Sequence, residues 1–119
     1  MNIFILLFFF QDTSFTGSNS IHTAAATGQL DFIRKIAEDD KEILHKKDKN
    51  GWMPIHEAAR GGHVHVANFL LKQGSDINAR TNGDTGGSVL WWAKKNHDDN
   101  HEIVIFLEKE GAKYIEPEL

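Results

Sequence analysis

The chain has 119 residues, a length for one domain, and its 40% hydrophobic and 25% charged content is that of an ordinary globular protein, not a disordered one. A formal net charge of −4 with both signs interspersed leaves no basic stripe for neutralising phosphates, so nucleic acid is not an expected partner. Cysteine is absent, which removes disulfide, thiolate and cysteine-zinc chemistry and fits a reducing compartment.

The chain opens on eight consecutive apolar residues, Ile3 to Phe10, followed by a Ser/Thr/Gly/Asn-containing segment from Gln11 to Ser20. A bilayer span takes about 20 residues, so no membrane crossing is expected here. The run has the length of a secretory signal's apolar core, but no Lys or Arg precedes it, and Ser14, Thr16, Ser18 and Ser20 form only a loose small-residue cleavage region. Three readings of residues 1–19 stand: a signal-like leader, an apolar strand packed against the domain beyond residue 20, or a stretch that does not fold. No Asn-x-Ser/Thr acceptor occurs, and the terminal Glu116-Pro117-Glu118-Leu119 is not a retention signal.

Beyond residue 20 the chain repeats itself. His22, Ala24, Ala25 and Gly28 recur 34 residues later as His56, Ala58, Ala59 and Gly62, and Leu70 and Gly74 recur 37 residues on as Leu107 and Gly111. A period in this range marks a solenoid of stacked units, each unable to bury its apolar face alone. In the central unit Pro54 suits a first helical turn, where its missing N–H costs nothing, and Gly61-Gly62 close a short helix from Pro54 to Arg60. A second helix is predicted from about His63 to Gln73, with Val66, Ala67, Phe69, Leu70 and Leu71 on one broad face and Gly74 ending it. Ser75 to Gly87 is rich in Asn, Asp and Gly and favours a hairpin. The first unit has a second helix over Leu30 to about Asp39 but no helix-ending glycine between Lys41 and Lys47; the third carries an apolar helical run from Ile103 to Leu107. The expected architecture is all-α: three helix-turn-helix units at 20–47, 48–80 and 81–115 joined by hairpin loops, with a tail at 116–119.

Asp48, Gly51, Pro54, Ile55, His56, Ala58, Ala59, Gly62, His63, Leu70, Leu71, Gly74, Asp76, Ile77, Asn78 and Ala79 fall on, or on conservative variants of, a pattern reading D-x-x-G-x-T-P-L-H-x-A-A-x-x-G-H, an apolar helix, then G-A-D-V-N-A. The chain thereby resembles the ankyrin repeat family over about residues 20–115, most closely at 48–80. In the third copy Ser88 stands at the Thr position, Leu90 at Leu, Trp91 at His and Ala93 at the first Ala, which implies extra residues in the preceding hairpin and around Asn96 to Asn100. Met53 stands where the family has Thr, so the central first helix lacks a hydroxyl N-cap; Met53→Thr is expected to stabilise by about 0.5–2 kcal/mol.

Candidate chemistry is thin. His63-Val64-His65 is not read as a chelating pair, because residues two apart diverge by about 200° on the helix predicted here. His97 and His101 have zinc-compatible spacing only on one helix, and His97-Asp98-Asp99-Asn100 reads as a solvated loop between helices. Gly83-Asp84-Thr85-Gly86-Gly87 lacks the spacing and the lysine of a phosphate loop. No catalytic, cofactor or metal site is assigned, and the chain is not expected to be an enzyme. The resemblance implies that His22 and His56 brace adjacent hairpins.

It also implies a partner lying across the hairpin tips and the concave face made by the first helices. Carried over by position, the contact candidates are Lys49, Asn50, Trp52, Glu57, Arg60 and Arg80, extended by Asn82, Asp84, Trp92 and Lys94, with Lys95 beside them. Trp52 is the foremost, since core packing does not demand an aromatic in that turn, and Trp and Arg are common interface anchors. Trp91 is expected to be mainly structural. Leu70, Asp76, Ile77 and Asn78 match the context in which the family's asparagines are hydroxylated, although a hairpin asparagine also serves by bonding nearby backbone. The expected function is a non-catalytic, monomeric protein-protein interaction module or adaptor in the cytoplasm or nucleus, or in the secretory pathway if residues 1–18 act as a signal. The alternative is the recognition domain of a larger enzyme.

Overall fold

In a computed structural model, residues 17–119 are described, with side chains from Ile21 onward. The apolar run 3–10 and the start of the polar segment lie outside the described residues. Three helix pairs succeed one another: α1 (Gly17–Thr27) with α2 (Leu30–Asp39), α3 (Pro54–Gly61) with α4 (Val64–Lys72), and α5 (Val89–Asn96) with α6 (Glu102–Lys109). The first helices α1, α3 and α5 pack side by side, while α2, α4 and α6 form the outer layer. Small residues explain the close inner row: Ala24, Ala25, Ala58, Ala59 and Ala93 are all buried there. Ile33, Val66, Leu70, Ile103, Val104 and Leu107 fill the space between layers with essentially no exposure, each worth about 1.5–3 kcal/mol relative to exposure.

The helix predictions hold to within a residue or two at their ends. Where the first unit lacks a closing glycine, the chain forms a 3-10 turn over Lys41–His45, with Asp40 Oδ1 accepting from Glu42 N at 3.0 Å. That turn buries Leu44 and aims His45 at the second unit, where it bonds Ser75 Oγ at 2.8 Å and the Gln73 carbonyl at 3.1 Å. Polar closure thus replaces the missing helix stop. α3 ends on Gly62 at φ +79, a left-handed position that glycine takes without strain.

The Asn82-Gly83 pair forms the tip of the hairpin leading to the third unit, both residues having positive φ (52° and 62°) as a tight turn of this type requires. Its arms are joined by Gly86 N to Thr81 O at 2.8 Å and by an isolated antiparallel bridge between Arg80 and Ser88. Successive hairpins also bond to each other: Asn82 N donates to Asn50 O at 3.0 Å. A side chain on Gly51 would reach within 2.5 Å of that same nitrogen, so the hairpin contact demands glycine.

Two sets of histidines brace neighbouring units. His22 Nε2 donates to Trp52 O at 2.8 Å and His56 Nε2 donates to Ala79 O at 2.9 Å, each tying a first helix to the following hairpin. At the other end of the inner helices, His63 Nε2 bonds Ala26 O at 3.0 Å and His97 Nε2 bonds Arg60 O at 2.8 Å. Those carbonyls lie in the last helical turn, where no intrahelical donor is available. His97 lies in the loop between α5 and α6, as its sequence context suggested, but is half-buried and serves as a brace; the 34-residue interval from His63 to His97 is the signal that identifies this role.

α3 begins without a side-chain cap bond from Met53, but the reciprocal half of a capping box is made, with His56 Nδ1 accepting from Met53 N at 3.0 Å. Met53 also packs on the core, so Met53→Thr exchanges apolar contact for a cap. The net gain is expected near the lower end of the cap range, about 0.5 kcal/mol, or a melting-temperature rise of roughly 2–4 °C. Thermal unfolding checks this, and a melting temperature at or below that of the wild type overturns it.

Candidate functional site

A shallow groove of about 340 Å³ between the second and third units is lined by Asp48, Asn50, Trp52, Glu57, Arg60 and Trp92. Its construction starts at Asp48, whose Oδ1 accepts from Asn50 N at 2.8 Å and Trp52 N at 2.9 Å, while its own N–H donates to Trp52 O at 2.8 Å. This Asx-type turn fixes the backbone on both sides of Trp52. The indole then meets Trp92 from α5, ring centroids 4.4 Å apart and tilted by 49°. Trp91 stands against Trp92 edge-on at 4.8 Å and covers Gly87, which agrees with a packing role for Trp91. Trp92 Nε1 donates to Thr81 Oγ1 at 3.3 Å. Arg60 lies over the Trp52 ring, its guanidinium 5.5 Å from the centroid, and donates from Nη2 to Glu57 Oε1 at 2.6 Å. A cation over an indole and a carboxylate one turn away hold the guanidinium in one place.

Five of the residues predicted from sequence, Asn50, Trp52, Glu57, Arg60 and Trp92, thus come together. Lys49 is exposed on the hairpin shoulder, and Asn82 and Asp84 are exposed at the next hairpin tip. Arg80 points elsewhere: its Nε donates to Gly86 O at 2.9 Å, its Nη2 to Glu116 O at 3.2 Å, and its Nη1 pairs with Glu118 at 3.4 Å. Lys94 faces α6, with Asp99 at 3.5 Å, Glu108 at 3.4 Å and the Tyr114 ring beneath it at 5.6 Å, while Lys95 covers Trp91. Asn78 uses its Oδ1 to accept from Lys113 N at 2.8 Å. Asp48 is the residue that sequence reasoning passed over, although its place two and four residues before Asn50 and Trp52 is an Asx-turn signature.

A second depression of about 640 Å³ lies at the end of α5, lined by Lys94, Lys95, Asn96, His97, Asp98, Asn100 and His101. The His97 and His101 rings are 4.2 Å apart and tilted by only 37°. Ring-nitrogen lone pairs lie in the ring planes, so stacked imidazoles do not converge on one ion. His101 Nδ1 is also occupied, accepting from Ile103 N at 3.1 Å as the N-cap of α6. Among the described residues no group of three or more His, Cys, Asp or Glu is placed to hold a metal ion.

His56 is displaced from the ordinary histidine range. Burial pushes its pKa down to about 4, against the opposing pull of the Ala79 carbonyl and of Asp48 and Asp76. It is neutral at neutral pH, with Nδ1 accepting and Nε2 donating, a role fixed by its partners.

Stacked helix pairs with braced hairpins and an aromatic groove on the inner row define a solenoid of the protein-binding kind. The family model for ankyrin repeats matches residues 3–81 and 21–117, and the chain belongs to the ankyrin repeat family. Among curated relatives, it is 28% identical over 104 residues to the NF-kappa-B inhibitor cactus of Drosophila melanogaster, covering 87% of this chain and 20% of that one. It is 37% identical over 64 residues to alpha-latrocrustotoxin-Lt1a of Latrodectus tredecimguttatus, 54% of this chain and 4% of the toxin. Protein phosphatase 1 regulatory subunit 27 of Homo sapiens is 32% identical over 69 residues, 58% of this chain and 44% of that protein. Among solved structures, a chain in the complex of the Bd0816 predatory endopeptidase from Bdellovibrio bacteriovorus with immunity protein Bd3460 superimposes with a TM-score of 0.70 at 28% identity, covering 82% of this chain and 49% of that one. The chain spans less than half the length of each of these proteins. Ankyrin repeats are generally non-catalytic modules that bind protein partners, and among the described residues no helix is long and apolar enough to cross a membrane.

Proposed function

We propose that the chain is a non-catalytic protein-binding module or adaptor, acting as a monomer, whose partner lies across the concave face and is anchored on the Trp52–Trp92 groove. The observation that carries this is a half-exposed tryptophan pair with an arginine fixed over it, on the face made by the inner helices. A core has no need of such a group there, whereas preorganised Trp and Arg at the centre of a patch are the residues on which binding energy concentrates. The exposed Lys49, Asn82 and Asp84 surround it at the hairpin tips. The mixed charge of this surface suits a partner recognised by shape and aromatic anchoring, with charge tuning association rate. A cytoplasmic or nuclear setting fits the absence of cysteine, and residues 1–18 acting as a signal would place the same module in the secretory pathway. Hydroxylation at Asn78 is compatible with this role; in the fold its Oδ1 accepts from Lys113 N at 2.8 Å.

A second reading has its own support. Because the chain spans less than half of each relative named above, the module also fits as the recognition part of a larger protein, including an enzyme whose catalytic portion lies elsewhere. Affinity capture with wild type beside a Trp52→Ala/Arg60→Ala double variant tests the binding face. The double variant is expected to lose at least 2 kcal/mol of binding, about 30-fold in Kd, with its helical circular dichroism intact. A partner retained equally by both proteins shows that the face is wrong.

A further inference from the structure

We infer that the groove takes an acidic partner segment: a carboxylate paired with the Arg60 guanidinium, next to an apolar or aromatic side chain laid against the Trp52 and Trp92 rings. This rests on the groove being the partner face, and it names the chemistry of the occupant. Both acids lining the groove are half-buried, whereas Arg60 is exposed. Asp48 receives two backbone N–H groups on Oδ1, and Glu57 receives Arg60 while its side chain keeps only 13% exposure. The donors are uncommitted. Arg60 remains 45% exposed and uses one of its five N–H groups on Glu57, leaving the rest of a planar fork directed outward. The Trp52 indole N–H has no acceptor among the described residues, and Lys49 and the Asn50 amide are exposed beside it without ion-pair partners there. Donors left open on this face call for acceptors from the partner.

Arginine favours a carboxylate in this setting for a geometric reason. Stacking on Trp52 and pairing with Glu57 remove the rotamer freedom that an exposed arginine otherwise loses on binding, and a carboxylate matches the remaining fork with two parallel bonds. The ring pair beside it offers apolar surface at the same depth. Asp84 is exposed on the adjoining hairpin tip, and Lys49 is exposed on the hairpin that carries Trp52. A basic segment would instead meet an exposed guanidinium of its own sign, with the Glu57 side chain held at 13% exposure beside it.

All three tryptophans of the chain, Trp52, Trp91 and Trp92, belong to this one cluster, so intrinsic emission reports on the groove alone. Three capped pentapeptides are titrated against the full chain: Glu-Phe-Glu-Phe-Glu and the same sequence with Gln or Lys at the three polar positions. The glutamate peptide is expected to saturate about tenfold more tightly than the glutamine peptide, with the lysine peptide weakest, and the preference is expected to shrink as salt is raised. Arg60→Gln is expected to remove the preference while leaving far-UV circular dichroism unchanged, because Arg60 is exposed and its brace to His97 runs through the backbone carbonyl. Tightest binding by the lysine peptide, equal binding by all three, saturation by none, or an unchanged preference in Arg60→Gln would each overturn the assignment. The two readings fail differently. A captured partner that is lost with the Trp52→Ala/Arg60→Ala variant but shows no carboxylate preference leaves the binding face standing and removes only the acidic occupant.

Discussion

Replacement of His56 by alanine is expected to destabilise the fold by about 3–4 kcal/mol, the largest single-residue effect argued for this chain. The ring is fully buried and makes a bond on each nitrogen, accepting from Met53 N at 3.0 Å and donating to Ala79 O at 2.9 Å. Truncation orphans one backbone donor and one backbone acceptor and opens a cavity between the inner helix and its hairpin; each unsatisfied buried group costs about 1–3 kcal/mol. The same residue makes stability depend on pH. Its folded-state pKa is depressed to about 4 from the ordinary 6.5, so between those values the unfolded chain holds a proton that the folded chain does not. The contribution is fully present above pH about 6.5 and is lost as pH falls toward about 4, amounting to about 2 kcal/mol between pH 7 and pH 5. Denaturant titrations of the wild type at those two pH values measure it directly. His56→Ala should show a shallower pH dependence by a similar amount, and a wild-type midpoint unchanged between pH 7 and pH 5 defeats the argument.

Much of this arrangement was legible in the residues, and the reasons differ from place to place. Pro54, Gly62 and the paired alanines act locally or through a short period, so helix ends and the close inner row follow from spacing alone. The bracing by His22 and His56 followed from the family likeness, Trp52 stood out by its place in a turn, and Trp92 was a contact candidate because Trp91 reads as the packing member of that pair. The features that were not legible depend on partners far away in sequence. Arg80 reads as a surface arginine until the C-terminal residues Glu116 and Glu118 fold back onto it. Lys94 lies on a helix that faces the groove, yet its long side chain turns toward Glu108 and Asp99, which lie on and just before α6. The brace from loop residue His97 was hidden because its acceptor, Arg60 O, is a backbone atom that no sequence pattern displays. The first unit's 3-10 turn escaped because its stability comes from Leu44 entering the core and His45 reaching Ser75, not from a local stop signal.

Ser88→Ala is expected to cost about 2–4 kcal/mol and to release the C-terminal segment, because one hydroxyl carries three jobs in the third unit. Ser88 is fully buried, and its Oγ accepts from Trp91 N at 3.3 Å as the N-cap of α5. The same oxygen donates to Lys113 O at 2.8 Å and accepts from Ile115 N at 3.0 Å, while Ser88 N donates to Ile115 O at 3.0 Å. Lys113 stands 34 residues after Ala79, so its carbonyl holds the place that the Ala79 carbonyl holds for His56. With Trp91 standing where a bracing histidine belongs, the hydroxyl one turn earlier takes over the link, and residues 113–118 lie along the last hairpin where a further unit's hairpin would stack. Glu118 N to Thr85 O at 2.8 Å and the Arg80 bonds continue the same seam. Alanine at 88 leaves Lys113 O and Ile115 N without partners and uncaps α5 at once. Hydrogen exchange should show the Ile115 amide losing protection in Ser88→Ala, with faster tryptic cleavage after Lys113 and amides of α3 protected as before. Ser88→Thr restores the hydroxyl and should recover the Ile115 protection. An Ile115 amide that stays protected in Ser88→Ala, at an unchanged melting temperature, would show that the segment is held by Arg80 and the hairpin backbone instead.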